Sequence, residues 1–210
     1  LRLIAHSLEL IRNERILFSN LGFELGSGEA LALVGPNGAG KSSLLRALLG
    51  FLYLNAGTVK LEGAGEETLA EATHYIAHAD GLKTALTAGE NLSFWAKILA
   101  LRTKKTTGSI FFEPLSPKKA LEKLRLDHIE QVPVAFLSAG QRRRVALARL
   151  LVAARPIWFL DEPTTALDAA TVQIFAQICA EHLENGGLIL AATHLDLGFK
   201  ATRLEIGGAK

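Results

Sequence analysis

The sequence predicts an α/β fold with a mostly parallel sheet core and a helical part inserted into it. Three observations lead there. Short, wholly apolar runs at 30–34, 157–160 and 188–192 have the composition of strands buried on both faces. Helical patterns alternate with them, as crossovers between parallel strands require. The first run leads through Gly35-Pro36-Asn37-Gly38-Ala39-Gly40-Lys41-Ser42 into a helix, a strand–loop–helix unit that cradles phosphate.

Residues 1–11 read as a strand, closed by a charged turn at Arg12-Asn13-Glu14-Arg15. Ser27-Gly28 is a second turn. A helix follows the phosphate loop at 41–49, with Gly50 as its stop. Residues 58–61 and 73–76 read as further strands. A helix at 91–101 places Leu92, Trp95, Ile98 and Leu99 on one face. Residues 102–117, rich in Lys, Thr, Gly, Ser and Pro, read as a mobile loop. Helices at 118–126, 141–153 and 169–183 complete the pattern, the last closed by Gly186-Gly187. On this reading one domain spans 1–210, with a helical subdomain at about 82–153, a length that suits one core.

Composition narrows the function classes. The chain is 49% hydrophobic and 21% charged, with net charge +2. A pI of 8.8 is too mild to argue for nucleic acid as a partner. Cys179 is the only cysteine, which leaves no intrachain disulfide and fits a reducing compartment. No apolar run approaches the ~18–20 residues that span a bilayer. Residues 1–10 carry Arg2, His6, Ser7 and Glu9, unlike a signal peptide. The expectation is a soluble, cytoplasmic chain.

The phosphate loop assigns its own chemistry. Its glycines let backbone N–H groups close around phosphate without a Cβ in the way. Lys41 supplies a point charge to the outer phosphates, and the Ser42 hydroxyl suits Mg2+, a hard cation that prefers oxygen. Downstream, Asp161 and Glu162 end an apolar strand, the edge where α/β sheets bind ligands. Asp161 would hold Mg2+ through water, and Glu162 would polarise the water that attacks the terminal phosphate.

Leu137-Ser138-Ala139-Gly140-Gln141, just before a helix, forms a second anion cradle. Two cradles and one nucleotide site imply two chains, each lending half a site to the other. Asp168 reads as a helix N-cap. A lone histidine is by type structural or merely exposed, but His194 follows a second buried strand.

The order of phosphate loop, Leu-Ser-x-Gly-Gln, Asp-Glu, Leu-Asp and His resembles the nucleotide-binding domain of ABC transporters, across nearly the whole chain. That resemblance implies a P-loop NTPase fold of ABC ATPase type, with an antiparallel β part and a helical subdomain. It implies a head-to-tail dimer of ATPase subunits holding two ATP molecules with Mg2+. Each ATP lies between the loop Gly35, Pro36, Asn37, Gly38, Ala39, Gly40, Lys41, Ser42 and Ser43 and the partner's Ser138, Ala139, Gly140 and Gln141. By the same carry-over Ser42 and Asp161 serve the metal, Glu162 is the catalytic base and His194 the γ-phosphate switch. Lys41 joins these two as a catalytic residue, and Asp168 belongs to a loop that communicates across the dimer. Separate transmembrane permease subunits would dock near 82–100, with the chain peripheral on the cytoplasmic face of the inner membrane.

Finer features are similar to the haem-exporter ATPase subfamily of cytochrome c maturation. They are Tyr75-Ile76-Ala77-His78, the stretch Gly81-Leu82-Lys83-Thr84-Ala85-Leu86-Thr87, Glu90-Asn91-Leu92, the helix that follows Ala139, and Thr193-His194-Leu195. This implies ATP hydrolysis that energises haem export or haem-chaperone release. The alternatives are another small ABC exporter and a soluble, non-transport ABC ATPase. Such soluble proteins carry coiled-coil insertions or two ATPase halves, and 210 residues show neither. A non-hydrolysing subunit conflicts with intact Lys41, Asp161, Glu162 and His194.

The chain departs from the family pattern in two places. Ala79, beside His78, stands where a metal-sensing glutamine is usual; His78 or a water replaces it, or His78 is a surface residue. Arg12 stands near the usual place of an adenine-stacking aromatic. Its guanidinium either stacks on the base or belongs to a solvated turn. Arg142-Arg143-Arg144 reads as a solvated helix face rather than a nucleic-acid patch.

Overall fold

The computed structural model describes residues 1–100, 113–195 and 197–207. Of the loop expected at 102–117, residues 102–112 lie outside the described residues, as does the expected last helical residue, Leu101.

Eight strands and six α-helices are described: β1 (Arg2–Arg12), β2 (Arg15–Gly26), β3 (Ala30–Val34), α1 (Lys41–Leu48), β4 (Ala56–Glu62), α2 (Leu69–Ala72), β5 (Thr73–Ile76), α3 (Ala88–Ala100), α4 (Pro117–Lys123), α5 (Ala139–Ala148), β6 (Ile157–Asp161), α6 (Ala169–Glu184), β7 (Leu188–Ala192) and β8 (Thr202–Glu205). Five strands form a sheet in the order β5-β6-β7-β3-β8. Every pairing in it is parallel. The other three form an antiparallel sheet, β2-β1-β4.

The parallel sheet separates two cores, and the period of two along each strand sorts side chains between them. Trp158 and Leu160 join Ile189 and Ala191 on the side of α3, α4, α5 and α6. Ile157 and Phe159 join Leu188, Leu190 and Ala192 on the side of α1 and the antiparallel sheet. Strands β6 and β7 are buried at every position, and apart from the terminal Asp161 of β6 their residues are apolar. Each such Leu, Ile or Phe contributes roughly 1.5–3 kcal/mol by burial.

Several element boundaries differ from the sequence expectation, each for a local reason. Helix α3 starts at Ala88 because Thr87 and Glu90 satisfy each other's backbone N–H groups. On its expected apolar face only Leu92 is buried; Trp95, Ile98 and Leu99 are half-exposed. The helix expected at 118–126 ends at Lys123, and Arg125 adopts a positive φ of 56°. The helix expected at 141–153 is α5, begun two residues earlier by its Ser138 cap and ended at Ala148. Residues 150–153 are buried, and their apolar character belongs to packing in a turn. Strands β2 and β8 and the four-residue α2 were outside the sequence expectation.

Candidate functional site

The C-terminal ends of β3, β6 and β7 bring three sequence motifs together. Strand β3 delivers the phosphate loop. Gly35 (φ 143°) passes so close to Ile206 that a Cβ would lie 2.3 Å from its carbonyl oxygen. Gly40 (φ 105°) caps α1 without a side-chain hydrogen bond, which leaves the first N–H groups of the helix open to a ligand. Pro36, Asn37 and Gly38 are exposed, Ala39 is buried, and Ser43 is half-buried. Lys41 is buried, and its Nζ donates to the carbonyls of Gly35 (2.7 Å) and Pro36 (3.1 Å). Its ammonium is therefore held over the loop.

Ser42 Oγ donates to Asp161 Oδ1 at 2.7 Å, joining residues 119 apart in sequence. Tyr75 lies at the other carboxylate oxygen, its hydroxyl 3.5 Å from Oδ2. Burial raises that phenol above its ordinary value, with Arg46 opposing and Asp161 adding to the rise, and keeps it neutral. One hydroxyl and one carboxylate are a poor cage for a metal alone. Among the described residues no group of three His, Cys, Asp or Glu could hold one. They do fit Mg2+, which takes one or two protein oxygens and completes its shell with water and substrate phosphate.

Glu162 follows in a left-handed conformation (φ 48°), unusual for a residue with a Cβ. Its N–H is held by Ala192 O at 2.8 Å, so β7 fixes the turn. That turn sets Glu162 Oε1 3.0 Å from His194 Nδ1. Glu162 Oε2 is buried with no hydrogen-bond partner. A cleft runs between Gly35 and His194, lined also by Thr193.

The second cradle lies on α5. Ser138 and Gln141 form a capping box: Ser138 Oγ accepts from Gln141 N at 3.1 Å and Gln141 Oε1 from Ser138 N at 2.9 Å. Ser138 and Ala139 are exposed, and a Cβ on Gly140 would meet Ala166 O at 3.0 Å. Among the described residues, no hydrogen bond of Ser138–Gln141 reaches the phosphate loop of the same chain. Asp168 caps α6, accepting from Thr171 N at 2.7 Å. That bond holds its carboxyl below the ordinary value.

Arg12 is exposed at the end of β1, paired with Arg15 across a two-residue hairpin whose Asn13 and Glu14 have positive φ. The neighbouring strand reaches the phosphate loop through Leu17 and Phe18, which line Gly40. His78 and Ala79 are exposed in the loop between β5 and α3.

Arg143 corrects the reading of the arginine run as a solvated face. It is 4% exposed, and all its N–H groups are bonded. Nη2 donates to Asp161 O (2.9 Å) and Glu162 O (2.7 Å), Nη1 to Ala77 O (2.8 Å) and Asp80 Oδ1 (3.3 Å), and Nε to Pro163 O (3.2 Å). A signal was present: Arg143 shares a helical face with Ala146, Leu147 and Leu150, all buried. Arg149 is also buried, which lowers its guanidinium to about 10, and it donates to Asp80 O at 2.8 Å.

Comparison with known proteins agrees with this geometry. The family model for the ABC transporter domain matches residues 18–165. The chain is 50% identical over 199 residues to the cytochrome c biogenesis ATP-binding export protein CcmA of Bradyrhizobium diazoefficiens, covering 94% of each. It is 49% identical over 210 residues to the protein of that name from Nitrobacter winogradskyi, covering 100% of both. Among solved structures, an ABC transporter ATP-binding protein from Pyrococcus furiosus superposes with a TM-score of 0.79 at 19% identity, over 98% of each chain. This last likeness concerns the fold alone.

Proposed function

The chain belongs to the ABC transporter family, and from that premise we propose that it is the ATP-hydrolysing subunit of a membrane complex energising haem export, or haem-chaperone release, in c-type cytochrome biogenesis. The family supports ATP as the nucleotide. The cytochrome c biogenesis export proteins it resembles along their whole length support the process. The observation that carries the chemistry is the 2.7 Å bond between Ser42 and Asp161, which joins phosphate loop and acidic strand at one point.

At that point the loop N–H groups and Lys41 bind the outer phosphates of ATP. Ser42 and Asp161 hold Mg2+, which supplies charge neutralisation to the phosphates. Glu162 orients water and takes its proton, and His194 positions Glu162 and meets the terminal phosphate. A second copy lends Ser138, Ala139, Gly140 and Gln141 in a head-to-tail dimer, with Asp168 at the junction. Arg12 lies against the base. The chain acts as one domain, with its helical subdomain at about 82–153 facing permease subunits.

Among the described residues no helix is long and apolar enough to cross a membrane. By the family pattern, separate transmembrane subunits anchor this one at the cytoplasmic face of the inner membrane. Purification from detergent-solubilised membranes, followed by identification of what comes with it, tests this reading. A haem-handling membrane protein is the expected companion; the permease of a lipid or drug exporter would overturn the haem assignment.

A further inference from the structure

We propose that Arg143 is a positioning residue for hydrolysis: it locks the turn carrying Asp161 and Glu162 to the loop 77–80, so that turn and loop move as one unit. The inference rests on the ATPase reading and adds to it a residue that contacts neither nucleotide nor metal.

The guanidinium has five N–H donors in a rigid planar fork, and here all five are used. Three of them face the carbonyls of Asp161, Glu162 and Pro163, the turn in which Glu162 is held left-handed. That conformation is costly for a residue with a Cβ and persists only where its surroundings over-determine it. Ala192 fixes the turn from the N–H side and Arg143 from the carbonyl side. The other two donors face Ala77 O and Asp80 Oδ1.

The loop is gripped a second time. Arg149, six positions along the same stretch of chain, donates to Asp80 O and lies 4.0 Å from the centre of the Trp95 ring. Trp95 Nε1 in turn donates to Gly81 O at 3.3 Å. The loop is thus tied to α5 and α3 as well as to the acidic turn. Ala79, which has no metal-binding group, lies within this tied segment. Displacement of the loop is transmitted to Glu162 through Arg143 and the main chain.

The Asp80 contact is the separable part. Its side chain is 25% exposed, and removing its charge leaves the four carbonyl bonds of Arg143 in place. The test measures steady-state ATP hydrolysis, nucleotide affinity and thermal midpoint in Asp80→Asn, Asp80→Glu and Arg143→Lys. A misplacement below 1 Å is enough to predict a fall in kcat of about tenfold for Asp80→Asn and more for Arg143→Lys, with affinity for ATP within about twofold. Asp80→Glu should recover most of the loss.

Unchanged kcat in Asp80→Asn overturns the inference, even if Arg143→Lys fails to fold. So does a parallel fall of kcat, affinity and thermal midpoint, which is what a merely structural arginine would give. Absence of hydrolysis by the unaltered protein would instead sink the ATPase reading, and this one with it.

Discussion

His194 Nδ1 lies 3.0 Å from Glu162 Oε1, while the other oxygen of that carboxylate is buried and unpartnered. A carboxylate oxygen can only accept here, so this contact requires the hydrogen on Nδ1. One oxygen is anchored and the other carries no partner, an arrangement that suits the proposed general base. Glu162→Gln keeps the shape and removes the basicity. Turnover should fall about 10²–10⁴-fold, the usual worth of a general base. ATP should still bind, and the dimer should accumulate by gel filtration. Unchanged turnover would remove Glu162 from this role.

His194→Ala removes the anchor and leaves the carboxylate. If His194 acts by positioning Glu162 and meeting the terminal phosphate, kcat falls while ADP affinity, which reports the loop alone, stays within about twofold. Equal losses in ADP affinity and kcat would mean that His194 supports the loop instead.

Ser42→Ala deletes a hydroxyl that now bonds Asp161. Ligands and their supporting groups typically contribute 10–100-fold to metal affinity, so the Mg2+ concentration for half-maximal hydrolysis should rise by about tenfold or more. A Mg2+ titration of the variant that overlays the unaltered protein would contradict the metal assignment.

Where one local pattern carries both structure and chemistry, the sequence was readable. The phosphate loop, the acidic strand end and the Ser138 cap each sit within a few residues, and strands β3 and β7 occupy the ranges their apolar runs predicted. What stayed hidden depended on partners far away in the chain. Strand β2 is mostly exposed or half-buried, with only Phe18 and Leu25 buried, and is broken by shifts of register against β1, so its one apolar run is the short stretch 16–18. Strand β8, Thr202–Glu205, has no fully buried position; its place comes from pairing with β3. Arg143 looked like one of three surface charges because its carbonyl partners lie up to 66 residues away.

Two buried histidines make stability depend on acid. Burial lowers His74 to about 3 and His182 to about 4, against an ordinary 6.5. The folded values lie below the unfolded ones, so the unfolded chain binds protons first. The stabilisation is complete above about pH 6.5 and is lost as pH falls, toward about 4 for His182 and about 3 for His74. Near pH 5 each histidine should contribute a slope of about 1.4 kcal/mol per pH unit. Urea unfolding at pH 7.5, 6 and 5 measures it, and His182→Gln should remove about one proton's worth. A pH-independent midpoint across that window would contradict the burial of neutral imidazoles.

Ala139 and Gly140 occupy adjacent places in the second cradle but answer to different constraints. At 140 the constraint is internal, because a Cβ would press on Ala166 O at 3.0 Å. At 139 the side chain is exposed at the first position of α5, so its methyl meets only what approaches from outside. In the proposed dimer a phosphate held by the partner subunit is such a group, and a methyl there would hold it away from the helix N–H groups. Ala139→Gly should therefore raise the ATPase rate at a shared site, while costing the helix no more than about 1 kcal/mol. If the proposed site is shared by two chains, the rate should also rise faster than linearly with protein at low concentration. Strict proportionality would point to a self-contained monomer. A faster dimer in the glycine variant would make the methyl a brake, whereas an unchanged rate would leave Ala139 without a catalytic role.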